Sequence, residues 1–451
     1  MGRGKERGRR IWGSLWDFMN FVQLTPGAGG MYCGNCLRDN ALVGALRRLG
    51  HDALMVPLYL PLTLDEQDLS RGMPVFFSGV NVYLDQKTPW FRRAPRWLRR
   101  WLSGRRLLRW VGRLAAKTRA EEVGELTLSM LRGESGHQAR DLEELVAWLR
   151  KRKRPDVFCL SNALLMGLAE KLETTFAAPV VCLLSGEDAY IDEMPEPWRR
   201  EVWALMADRA RTVRRFIAPS HYFARRMAGR LKVPRERVSV APPGINLEGY
   251  PAEPPPPPEA PTIGYLARMG PLKGLDTLVE AFLQLRQSGR VADARLKVAG
   301  GCGPGDEPFV RHLRRRLAAA GCADAVSFHP NLERAEKVGF LRSLSVFSVP
   351  ALYGEAFGLY LVEAMAAGVP VAQPRHAAFP ELIEATGGGV LCEPGSVASL
   401  AAALEGLLRD EPRRRALGAR GQEAVRKLFS AETAARSLLR ILDPLIPPRE
   451  S

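Results

Sequence analysis

Short apolar runs of four to six residues recur along this 451-residue chain. Most are followed by a loop rich in glycine or polar residues, and then by a stretch with apolar residues every three or four positions. Continuous apolar runs suit strands buried on both faces, and the spaced pattern suits helices laid over them. On this basis strands are expected at 19–24, 54–58, 155–160, 179–184 and 216–220, and again at 262–266, 294–299, 326–329 and 344–349. Helices are expected at 37–49, 164–172, 275–287, 308–320, 334–341 and 359–367, with helical patterns over 107–149 and 397–446. Strands alternating with helices predict an α/β chain built on doubly wound parallel sheets.

The alternation breaks once. Residues 251–261 hold the five-proline run 254–258. Such a run cannot enter a helix or strand interior and reads as a stiff linker. Two Rossmann-like domains are therefore expected, 19–250 and 262–430, with a helix and tail over 431–451. Residues 1–18 read as a disordered basic extension, and about 90–150 as a helical basic insertion in the first domain.

The chemistry gathers at strand–loop–helix turns. In 350–370 a strand runs into a loop carrying Gly354 and Gly358, and a short helix follows that Gly368 and Pro370 end. The first amides of such a helix have no internal partner and suit an anion. Glu355 in the loop and Glu363 on the helix cannot bind phosphate, but they can accept hydrogen bonds from sugar hydroxyls. Amides for phosphate beside acids for hydroxyls point to a nucleotide-sugar. A second such turn carries Gly29 and Gly30, which leave backbone amides open to a ligand.

Glu355-Ala356-Phe357-Gly358 and Glu363, within Glu-Ala-Phe-Gly-Leu…Glu-Ala-Met-Ala-Ala-Gly-Val-Pro-Val, resemble the signature of retaining glycosyltransferases of the group-1 kind, also called family 4. Ala351 stands where the family often has Ser. The resemblance implies a GT-B fold: an acceptor domain, then a nucleotide-sugar donor domain across a cleft, with the last helix returning to the first domain. It implies transfer of a hexosyl group from a nucleotide-diphosphate sugar to an acceptor hydroxyl, with retention. The stretch 266–274 resembles the family's phosphate loop, with Arg268 and Lys273 as the cations for the leaving diphosphate. By the same resemblance Glu363 holds ribose hydroxyls and Glu355 hexose hydroxyls. Phe357, Gly358 and Leu359 cap the diphosphate with their amides, Gly29 and Gly30 face it from the other domain, and Asn331 and Leu332 flank the base. With two cations in place no metal or other cofactor is expected, the nucleotide-sugar being the donor substrate. On the acceptor side Asn162, Glu187 and Asp188 are the candidates. Many relatives carry His near the positions of Ser161 or Ser185, where this chain has Ser.

A formal charge of +16 and a pI of about 9.9 favour acidic partners. Arginines 96, 99, 100, 105, 106 and 109 interleave with Trp97, Trp101 and Trp110. Two readings stay open for 90–110: a helical subdomain packing its tryptophans beside the acceptor site, or an interfacial helix on anionic lipid. Nucleic acid is not expected as a partner. No run reaches the ~18 apolar residues of a spanning helix, and residues 1–18 lack the apolar core of a signal peptide. Seven cysteines suggest no disulfide framework, and Cys33 and Cys36 lack the second ligand pair of a zinc site. A cytoplasmic protein is expected, peripheral on the inner membrane face if 90–110 binds lipid. The acceptor is then a sugar, a glycan or a lipid-linked molecule. Three alternatives remain: a glycogen or glucan synthase-like enzyme, hinted at by 76–84; a non-catalytic sugar-nucleotide-binding protein; and an epimerase on a similar fold.

Overall fold

The computed structural model describes residues 18–27, 34–62, 64, 66–78, 95 and 120–446. Gly29, Gly30, Cys33 and nearly all of 90–110 lie outside them. The first sheet is built from β1 (Asn20–Thr25), β2 (Asp52–Pro57), β3 (Val157–Leu160), β4 (Val180–Leu183), β5 (Arg215–Ala218) and β6 (Val238–Val240), in the order β2-β1-β3-β4-β5-β6. The second holds β7 (Thr262–Leu266), β8 (Arg295–Gly300), β9 (Val326–Pro330), β10 (Val346–Phe347), β11 (Val371–Pro374) and β12 (Gly389–Cys392), in the order β12-β11-β10-β7-β8-β9. Every pairing is parallel.

Around the first sheet lie α1 (Gly34–Arg48), α2 (Ala120–Leu131), α3 (Ala139–Leu149), α4 (Ala169–Phe176), α5 (Glu187–Asp192), α6 (Trp198–Arg209) and α7 (His221–Leu231). Around the second lie α8 (Leu275–Gln287), α9 (Glu307–Ala319), α10 (Arg334–Arg342), α11 (Leu359–Ala366), α12 (Phe379–Thr386), α13 (Val397–Arg409) and α14 (Glu411–Leu428). The last helix, α15 (Ala431–Leu442), packs on the first sheet's side: Leu438, Leu439 and Leu442 share a core with Leu42, Val43 and Leu46 of α1.

Side chains of β3 alternate between two cores, Phe158 and Leu160 to one face, Val157 and Cys159 to the other. This is why the strand is apolar at every position. Two expectations need correction here. Residues 120–149 are not an appended insertion, because Leu128, Leu131, Leu142, Leu145 and Leu149 pack in the same core as Phe158. Residues 164–172 form no single α-helix. A 3-10 stretch, Ala163–Leu168, precedes α4.

Each sheet has a switch point, where neighbouring strands lead their connections to opposite sides, and ligands of doubly wound folds bind beyond it. In the second sheet it falls between β7 and β10, so the loops carrying Lys273 and Glu355 leave from adjacent strands. In the first it falls between β1 and β3.

The two halves meet at α7. Glu381 of α12 accepts the His221 amide at 2.7 Å and the Tyr222 amide at 2.6 Å, and Ser220 Oγ donates to the Ala356 carbonyl at 2.8 Å. A carboxylate on two unpaired amides at the positive end of a helix is a cap supplied from the other half of the molecule. Replacing Glu381 with alanine should cost about 1 kcal/mol, read as a lower denaturant midpoint. An unchanged midpoint would show that water replaces the cap fully.

Candidate functional site

Lys273 and Glu355 come together because a glycine permits it. Gly274 has φ +71°, and a Cβ there would lie 1.9 Å from the Pro350 carbonyl oxygen. Only glycine lets the loop before α8 lie against the loop after β10. Lys273 Nζ then sits 2.7 Å from Glu355 Oε2 and also donates to the Tyr353 hydroxyl. The same carboxylate oxygen accepts Tyr353 Oη at 2.8 Å and Tyr360 Oη at 2.9 Å. Both tyrosine rings lie near the ammonium, at 4.8 Å and 5.2 Å, so π faces as well as oxygens hold the cation. Burial alone would raise the Glu355 pKa, but Lys273 and the two phenols outweigh it and hold the carboxyl below its ordinary value. The phenol of Tyr353 moves the other way, up, through burial and the neighbouring carboxylate. The site thus holds an ionised acid and a fixed cation in place without a ligand.

Gly358, with φ +96°, turns the chain into α11. Its amide and that of Leu359 find no acceptor among the described residues. Phe357 is buried and packs its ring against Phe429 at 5.7 Å. Glu363, one turn into α11, pairs with Lys337 of α10 at 2.7 Å. Arg268 differs from Lys273. Its side chain is 72% exposed and held by Asp306, which also accepts the Gly303 amide at 3.0 Å. Asn331 takes φ +58° beside Cys302, and Leu332 is half-buried against the second core.

Among the first sheet's loops the expected roles change. Asn162 spends its side-chain oxygen on the Leu164 amide, as a cap. Glu187 was expected on the acceptor side but is turned inward. Its two oxygens accept the Ala163 and Ser185 amides at 2.9 Å and 2.6 Å, and burial raises its pKa. It braces two loops from a buried position, turned away from solvent. Asp188 is buried and paired with Arg226 of α7, and its Oδ1 has no hydrogen-bond partner. Ser161 and Ser185 are gripped by Arg38 of α1, which sequence reasoning passed over. Arg38 donates to the Ser161 carbonyl at 2.7 Å, to Ser185 Oγ at 2.8 Å and to Asp39 at 2.7 Å. Cys36 is buried in the core between α1 and α15.

Arg38, Lys337 and Glu363 line one cleft, with about 630 Å³ of empty space between the two halves. Gly34 at the start of α1 and Leu359 at the start of α11 lie on its opposite walls. Two helix N-termini facing one space, with cations beside them, make a site for a polyanion. Tyr353, Tyr360, Lys337 and Asp306, the partners of the expected residues, were also missed in the sequence. Tyr353 lies two residues before Glu355 and Tyr360 five after it, but only the fold turns both hydroxyls onto one carboxylate.

Residues 248–424 match the family model for glycosyl transferases group 1, and 111–248 match that for glycosyltransferase family 4. The chain belongs to the group-1 glycosyltransferases. It is 33% identical over 186 residues to a Mycobacterium tuberculosis GDP-mannose-dependent alpha-(1-6)-phosphatidylinositol monomannoside mannosyltransferase, covering 40% of this chain and 46% of that one. It is 31% identical over 220 residues to the D-inositol 3-phosphate glycosyltransferase of Xylanimonas cellulosilytica, covering 45% and 50%. The chain spans about half the length of the curated relatives it matches. Its fold is similar to that of Anabaena HepE, crystallised with UDP and glucose, with a TM-score of 0.66 at 16% identity over 94% of this chain and 100% of that one. Sucrose-phosphate synthase from Thermosynechococcus elongatus gives a TM-score of 0.68 at 18% identity, over 94% and 98%. This group-1 chain therefore has the GT-B architecture, with the Lys273–Glu355 pair at the switch point of its second sheet.

Proposed function

We propose that this group-1 chain moves a hexosyl group from a nucleotide-diphosphate sugar to an acceptor hydroxyl, retaining anomeric configuration and needing no metal. The observation that carries the reading is Lys273, locked by Glu355 and two phenols, beside the unpaired amides at the start of α11. When the bond from sugar C1 to the diphosphate breaks, negative charge grows on the departing oxygen. Lys273 and those amides are positioned to stabilise it without rearrangement, and Arg268 can turn from its exposed position to add a bidentate contact. Their positive charge takes the place a divalent cation would fill. Glu355 accepts hydrogen bonds from hexose hydroxyls and Glu363 from the ribose. The acceptor oxygen bonds to C1 on the face the diphosphate leaves, and its proton passes to the departing phosphate oxygen, so no separate base is required.

Relatives named for phosphatidylinositol mannoside and inositol phosphate acceptors support a sugar, glycan or lipid-linked acceptor. No helix among the described residues is long and apolar enough to cross a membrane. The basic, tryptophan-bearing stretch 90–110 would supply peripheral contact with an anionic leaflet from the cytoplasmic side. The test has three parts. A thermal-shift screen of nucleoside diphosphates and their sugars should give a shift for one base. Turnover with that donor should yield product of the donor's anomeric configuration by NMR. Activity should persist in EDTA. Inverted product or loss of turnover in EDTA would each overturn its part, and no response to any donor would overturn the whole.

A further inference from the structure

Glu363 has one hydrogen-bond partner among the described residues, and it is a buried cation from a different helix. Lys337 Nζ reaches Glu363 Oε1 at 2.7 Å, with the Lys337 side chain 9% exposed and that of Glu363 19% exposed. The helix that presents the lysine is fixed at its start. Glu333 and Glu336 form a reciprocal capping box, the Glu333 amide donating to Glu336 at 2.9 Å. One residue on, Arg334 donates to the Asn246 and Glu248 carbonyls at 2.9 Å and 2.8 Å. A lysine held on so rigid a base, with its ammonium on a cleft wall, is poorly explained as surface charge.

A carboxylate has about four lone-pair positions. One of those on Oε1 goes to Lys337, and Oε2 has no partner among the described residues. A vicinal diol needs two acceptor positions at fixed spacing. A carboxylate free to rotate would lose that spacing. An ammonium on Oε1 prevents that rotation.

We propose that Lys337 is a positioning residue for the nucleotide's ribose. It holds the Glu363 carboxylate in one orientation, so that the chain tells a ribonucleotide from its 2′-deoxy analogue. The inference rests on the nucleotide-sugar reading above.

The readout is a ratio of affinities on one protein sample, measured with UDP against 2′-deoxy-UDP and with GDP against 2′-deoxy-GDP. For the base it binds, the wild type should prefer the ribo form by roughly 10–100-fold, the worth of a hydrogen bond to a charged group. Lys337→Met and Lys337→Gln should each bring that preference below about threefold, and Lys337→Arg should restore most of it. Glu363→Gln serves as the control and should abolish it as well. Equal weakening of both forms in K337M, with the preference intact, would overturn the role given to Lys337 and leave the donor reading standing. Binding of neither diphosphate to the wild type, or an undiminished preference in E363Q, would instead bring down the donor reading and this inference with it.

Discussion

Replacing Lys273 with methionine should lower turnover by about 10²–10³-fold, the usual loss when one fixed charge-stabilising group is removed. The same change should cost about 3 kcal/mol of stability at neutral pH, because it leaves a buried carboxylate without its cation. That figure sits at the low end of the range for broken buried pairs, since Tyr353 and Tyr360 still donate to Glu355. The pH dependence has a definite sign. In the wild type the folded pKa of Glu355 lies below its ordinary value. The pair's contribution is therefore full above the unfolded carboxyl pKa of about 4.3 and fades as pH falls through the lower folded value. In Lys273→Met, burial acts without the cation and the carboxyl should move up. The variant should then recover stability relative to wild type as pH is lowered from 8 towards 5. Denaturant midpoints across that range give the comparison. Lys273→Met combined with Glu355→Gln should regain most of the stability and none of the turnover. A single variant that stays stable, and whose deficit does not narrow in acid, would show the pair to be open to solvent.

That coupling explains why the sequence was legible in some places and silent in others. The turn at Gly358 into the helix that carries Glu363 could be read because a loop that turns into a helix needs a glycine, and an anion site needs the helix start. Both leave marks within ten residues. Helix α8 emerged with its bounds unchanged because Leu275, Leu278, Val279, Phe282 and Leu285 keep one face apolar throughout. Strands β11 and β12 were missed because Val371–Pro374 ends in a proline and Gly389–Cys392 opens on the last of three successive glycines, residues that argue against a strand. Glu187 was misplaced for a related reason. An acid after a strand looks the same in sequence whether it faces a cleft or folds back onto two amides, and its partner Ala163 lies 24 residues away. Lys337, paired with Glu363 across 26 residues, and Asp306, paired with Arg268 across 38, were invisible on the same grounds. Pairings of that span are set by sheet order, not by local pattern.

Arg38 is the strongest case of a long-range group that only the fold exposes, and the second large effect follows from it. Its guanidinium ties three elements at the first sheet's switch point: Asp39 on its own helix, Ser161 after β3 and Ser185 after β4. Burial tends to strip its charge, but Asp39 more than compensates, so its pKa lies above the ordinary value. Asp39 is fully buried and, besides Arg38, is held by the Thr25 hydroxyl at 2.8 Å. Arg38→Met should therefore destabilise the chain by about 3–5 kcal/mol, chiefly by leaving Asp39 charged and uncompensated. Adding Asp39→Asn should return a large part of that loss, because an amide carries no charge to strand and can still accept from Thr25. Arg38→Lys should recover less, since an ammonium keeps the ion pair but lacks the fork that reaches both serines. Equilibrium unfolding of the three variants separates the terms: charge compensation is the part Asp39→Asn restores, and bridging of the loops is the part it does not. If Arg38→Met cost under 1 kcal/mol, the serine-bearing loops would have to be held by their own backbones. Ser161 and Ser185 would then be free to act on a substrate instead of serving as the far ends of one buried fork.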